Sequence, residues 1–69
     1  MKNFSVNLKK IRESKNLSQK AVATLISVPV STYANWEQGR REPSILDIRK
    51  IIDCLDIDAN ELFDIDVLN

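Results

Sequence analysis

The sequence has no histidine, one cysteine, one glycine and two prolines, and its positive and negative charges cancel. Without histidine, and with Cys54 alone, no Cys/His set of zinc type can be assembled and no internal disulfide can form. A single glycine rules out a glycine-rich phosphate loop. A chain of 69 residues is also too small to enclose a substrate pocket around paired carboxylates. Neither an enzyme nor a resident cofactor or metal is therefore expected. Cys54, the one nucleophile worth naming, lies beside an apolar stripe, which assigns it to core or dimer packing. No stretch approaches the roughly 20 apolar residues of a membrane span, and the opening segment MKNFSVNLKK lacks the apolar run of a signal peptide. The expected setting is a reducing cytoplasm.

What is present fits a folded helical domain. Apolar residues make up 43% and charged ones 29%, too apolar for a disordered tail, and the length allows one domain, residues 1–69. The zero net charge conceals an asymmetry. Residues 1–41 hold eight basic side chains against two acidic, whereas residues 42–69 hold two against eight. A basic half gathered on one surface could meet phosphates while the acidic half faces away; the alternative is a succession of solvated helices without such a role.

Apolar periodicity and stop signals predict five short helices. The first spans about Ser5 to Lys15, with Leu8 and Ile11 inward and Asn16 as a left-handed stop. Ser18 caps the second, whose inner face is Val22, Ala23 and Ile26 behind a buried Leu17. Pro29 starts a third helix, Val30 to Gln38, after a turn at Ser27-Val28. Tyr33 and Trp36 point inward from it, leaving Ser31, Ala34, Asn35 and Gln38 outward, and Gly39 ends it. Ser44 with Asp47 reads as a capping box opening the fourth helix, with Ile45, Ile48, Ile51, Ile52 and Leu55 as its apolar stripe. Asp58 and Glu61 open a brief fifth helix carrying Leu62 and Phe63.

Two short helices joined by a tight turn, the second with a small polar outward face, have the form that enters the B-DNA major groove. Residues 17–39, LSQKAVATLISVPVSTYANWEQG, have that form. They resemble the helix-turn-helix of the phage-repressor-like family, the Cro and CI repressors and small bacterial XRE-type regulators. The resemblance runs from about residue 6 to 63, through Leu8, Ile11 and Arg12 upstream and EPSILDIRKIIDCLDIDANELF downstream. It rests on Leu17-Ser18-Gln19, Ala23, Val28, Ser31-Thr32, Trp36-Glu37, Gly39, Pro43-Ser44 and the Asp-x-x-Glu-Leu-Phe ending.

The resemblance implies a compact all-α, five-helix lambda-repressor-like domain that binds double-stranded DNA as a homodimer on a palindromic operator. The setting is a bacterial or phage-encoded regulator, with repression the role its size suits best. Ala23 would let the two helices cross closely, and Arg12 and Glu37 match an ion pair tying the first helix to the end of the third, with Arg12 also turned toward the DNA backbone. Base contacts are expected from Val30, Ser31, Thr32 and Asn35, the last by a two-point bond to adenine. Phosphate contacts are expected from Gln19, Arg12, Arg40, Arg41 and Lys20; for Lys9, Lys10 and Lys20 an ordinary solvated charge is an equal alternative. Tyr33 and Trp36 are assigned to packing. Ile57, Phe63, Ile65, Val67 and Leu68 form the candidate dimer surface.

Two positions depart from the family pattern. Ser27 stands where glycine is usual, so either a serine adopts left-handed backbone or Pro29 reshapes the turn. Leu25 and Val30 are apolar where polar residues are usual, which points either to an unusual operator or to a protein contact surface; the latter keeps open a second function, binding a protein partner as an antitoxin or antirepressor-like module would.

Overall fold

Four successive helices in this chain stop in the same way. In the computed structural model, which describes residues 3–63, these are α1 (Phe4–Ser14), α2 (Gln19–Leu25), α3 (Val30–Glu37) and α4 (Ile45–Leu55). A left-handed residue follows each: Asn16 at φ 58°, Ser27 at 61°, Gly39 at 75° and Asp56 at 52°. The next residue's N–H then turns back to a helical carbonyl, Leu17 to Arg12 at 3.3 Å, Val28 to Ala23 at 3.0 Å, Arg40 to Asn35 at 3.0 Å and Ile57 to Ile52 at 3.2 Å. These bonds have the six-to-one pattern that satisfies carbonyls otherwise orphaned at a helix end. Leu17, Val28 and Ile57 thereby swing onto the core as half-buried apolar residues. Asn and Asp adopt left-handed backbone most readily among side-chain-bearing residues; Ser27 does so at a modest conformational cost. The turn keeps the left-handed form despite the absent glycine, and Pro29 (φ −60°, ψ 145°) simply leads into α3.

Helix starts are equally local. Ser18 Oγ accepts from Ala21 N at 3.0 Å. Ser44 and Asp47 form a reciprocal box, Ser44 N donating to Asp47 Oδ2 at 3.3 Å and Asp47 N to Ser44 Oγ at 3.1 Å. Before α5 (Ala59–Phe63), Asp58 N donates to Glu61 Oε2 at 3.4 Å and Asn60 N to Asp58 Oδ1 at 3.0 Å.

The described residues contain these five helices and no strand. Their inward faces share one core: Phe4 and Leu8 of α1, Val22, Ala23 and Ile26 of α2 and its end, Tyr33 and Trp36 of α3, Ile51 and Leu55 of α4, and Leu62 of α5. α1 packs against both α3 and α5, while α2 and α3 pack on each other. Asn7 Nδ2 donates to the Leu62 carbonyl at 3.1 Å, and the rings of Phe4 and Phe63 lie 5.7 Å apart, so the fifth helix is docked by both polar and aromatic contacts.

Five sequence-based expectations change. α1 takes in Phe4 and ends at Ser14, and α3 ends at Glu37, because the capping bonds draw Lys15 and Gln38 out of the helices. Leu17 is half-buried rather than buried. Ile45 is not part of the α4 stripe: it is 84% exposed and Leu46 73%, since the first turn of α4 projects beyond the core. Cys54 is exposed, its Sγ 3.6 Å from the Leu25 carbonyl, because the buried line of α4 runs through Ile51 and Leu55. No helix among the described residues is long and apolar enough to cross a membrane.

Candidate nucleic-acid interface

α3 has two chemically separate sides. Its inner side is fixed by packing and by a charge cluster. Tyr33 and Trp36 are buried, their rings edge-to-face with centroids 6.0 Å apart. At the last turn the Glu37 carboxylate receives Arg12 Nε at 2.6 Å and Arg12 Nη2 at 3.1 Å, a two-point pair, and Gln19 Nε2 at 3.0 Å. Arg12 Nη1 donates to the Leu17 carbonyl at 2.8 Å. One carboxylate thus ties α1, the start of α2 and the end of α3 together, with side-chain exposures of 12% for Arg12 and 2% for Glu37.

Electrostatics follow from this geometry. Burial alone would push the Glu37 carboxyl up; hydrogen bonds, foremost from Arg12, outweigh it and hold the group below its ordinary value. The bond to Glu37 pushes the Arg12 guanidinium up, so it stays charged at any relevant pH. Burial, with the Glu37 carboxylate close by, pushes the Tyr33 phenol well above its ordinary value. The Tyr33 hydroxyl itself is buried without a hydrogen-bond partner, so what reaches it from Glu37 is field rather than a bond.

The outer side of α3 carries Val30, 46% exposed, and the exposed Ser31, with Thr32, Ala34 and Asn35 half-buried and Gln38 exposed just past the end. Arg40 and Arg41 follow on the surface. Their backbone N–H groups both donate to the Asn35 carbonyl, at 3.0 Å and 3.4 Å, which pins the two cations to the end of this same helix. Lys20 is exposed one residue inside α2, and Lys9 and Lys10 are exposed on α1. Asp53, Asp56, Asp58 and Glu61 are exposed on the other half of the chain.

The expected residues therefore fall into two groups. Val30, Ser31, Thr32 and Asn35 share the outward side of α3, with Arg40 and Arg41 at its end. Arg12 and Gln19, both expected at phosphates, are drawn inward to Glu37; the guanidinium spends three donors inside the protein, which leaves it little reach toward solvent. The Gln19–Glu37 bond was not foreseen: eighteen residues separate the pair, and only the Arg12–Glu37 match hinted that Glu37 was a hub. Among the candidate dimer residues, Ile57 and Phe63 already pack on the core, and Ile65, Val67 and Leu68 lie outside the described residues.

Comparisons with known proteins agree on one family. The sequence model described as Helix-turn-helix matches residues 8–62. The chain is 36% identical over 55 residues to the HTH-type transcriptional regulator AnsR of Bacillus subtilis, covering 80% of this chain and 47% of that protein. It is 36% identical over 59 residues to YqaE, an uncharacterized HTH-type transcriptional regulator of the same organism, covering 86% of this chain and 51% of that one. It is 38% identical over 61 residues to the control protein C.MunI of a Mycoplasma species, covering 87% of this chain and 82% of that one. The chain spans about half the length of the first two relatives. No solved structure gives a significant match.

Proposed function

The chain belongs to the XRE-type helix-turn-helix family, and from that membership we propose that it is a sequence-specific, double-stranded-DNA-binding transcriptional regulator whose α3 enters the major groove. The observation that carries this is the outward side of α3. It is a strip of small, uncharged side chains, narrow enough to approach base edges, ending in two exposed arginines whose backbone is bonded to the same helix. Val30, Ser31, Thr32 and Asn35 meet bases; Arg40, Arg41 and Lys20 meet phosphates. Gln19 keeps one amide N–H beyond its bond to Glu37 for the same purpose. Arg12 acts through Glu37, by fixing the angle at which α3 leaves the body. One helix covers too few base pairs for useful specificity, so the protein works as a homodimer on an inverted repeat with half-sites about one helical turn apart. It acts in the cytoplasm, as a repressor that blocks polymerase by occupancy.

The test is selection of bound sequences from a random duplex pool, followed by a salt titration of the best site. An inverted repeat should emerge. Asn35→Ala should cost about 1–3 kcal/mol of discrimination at one position. Arg41→Ala should weaken all sequences alike and reduce the salt slope by about one. No enrichment at low salt would overturn the DNA reading. A second reading, a protein partner, is favoured by one observation: Leu25 is 51% exposed beside a shallow apolar groove shared with Leu17, Ala21 and Thr24. Failure of the first test would bring that groove forward.

A further inference from the structure

The chemistry of α3 narrows the sequence it can read. This step rests on the DNA reading above. A G·C pair is recognised in the major groove chiefly by Arg or Lys on guanine and by Asp or Glu on cytosine. α3, VSTYANWE, has no Arg or Lys, and its single acidic residue is Glu37, whose side chain is 2% exposed and whose carboxylate is held by Arg12 and Gln19. Both of these chief means of reading G·C are therefore missing from the helix, and the hydroxyls of Ser31 and Thr32 bond either pair without choosing between them. The means of reading A·T are present: the Asn35 amide and, just past the end, the exposed Gln38 amide suit adenine, while the side chains of Val30, Thr32 and Ala34 offer methyl groups to the thymine methyl. Val30 is the telling residue. Its 46% exposure at the first turn of α3 leaves an apolar surface wet in the free protein, and a thymine methyl would dry it. The first cations, Arg40 and Arg41, come after the helix, beyond the left-handed Gly39.

We infer that the half-site beneath α3 consists of A·T pairs, recognised in part through thymine methyl groups, and that any guanine in the operator lies outside the stretch the helix covers. The experiment selects duplexes from a random pool, then resynthesises the winners with uracil in place of single thymines, which removes the methyl and keeps every hydrogen-bonding group. The expected result is A·T at the positions that relax with Asn35→Ala, and about a fourfold loss of affinity when the thymine facing Val30 becomes uracil. Val30→Ser, an exposed change that should leave the circular-dichroism melt unaltered, should bind thymine and uracil duplexes equally. Asn35→Arg should move selection toward guanine at one position. Invariant G·C pairs at the Asn35-dependent positions, or equal binding of thymine and uracil sites by the unaltered protein, would overturn the inference while leaving DNA reading intact. A pool that yields no enriched sequence would overturn both.

Discussion

The two sides of α3 differ in what holds them. Tyr33, Trp36 and Glu37 are placed by burial and by bonds to α1 and α2, so each is over-determined from within the protein. Val30 and Ser31 are placed only by being on that helix, and both are exposed to solvent. The lesson is a division of labour eight residues long: the inner side sets where the helix stands, and the outer side is free to vary in chemistry without disturbing the stand. If so, substitutions on the two sides should fall into separate classes, one read by stability and the other by DNA affinity alone.

The sharpest way to break the comparison is Trp36→Ala, which removes a large buried side chain from the core. It should cost about 3–5 kcal/mol in urea unfolding, enough to unfold a domain this size. A variant that stayed folded with only a small loss would mean that the inner side is not what positions α3. Next comes Glu37→Ala, which leaves the Arg12 guanidinium nearly buried and unpaired; about 3 kcal/mol is expected from the same measurement. Its pH signature sharpens the point. Glu37 titrates below its unfolded value, so between the two values the unfolded chain binds more protons, and the stabilisation is lost as pH falls through the folded value. Chemical unfolding at a series of pH values from 7 to 3 should show Glu37→Gln losing the steepest part of this acid dependence. The smallest effect belongs to the outer side: Ser31→Ala should change unfolding free energy by less than about 0.5 kcal/mol, while still altering affinity for a selected site. A larger stability change there would blur the two classes.

Much of this arrangement was legible in the sequence because its signals are local. Ser18, Ser44 with Asp47, Asn16 and Gly39 act within a few residues of themselves, and each caps or stops the helix it was read to. The order of motifs from Leu17 to Gly39 located α2, the turn and α3 together. What escaped depends on the third dimension. Ile45 fits the α4 stripe by spacing, yet the helix begins before the core does, and periodicity cannot say where a core ends. Cys54 neighbours the stripe in sequence and misses it by angle. The inward turn of Gln19 required knowing that Glu37 would sit opposite the start of α2. The family pattern pairs Arg12 with Glu37, but the number of donors that the guanidinium spends inside the protein is a matter of geometry.

The shared ending of the first four helices also bears on how fast the chain finds its fold. Each stop is written within six residues, so a helix can begin and end before any neighbour has packed on it, and the search is left to arranging short, pre-limited rods. Folding dominated by such local decisions carries little loop-closure entropy before its contacts form, and small helical domains of this kind fold on the microsecond-to-millisecond scale. A domain built this way would refold within milliseconds of a transient opening, because each of these helices already carries its own stop.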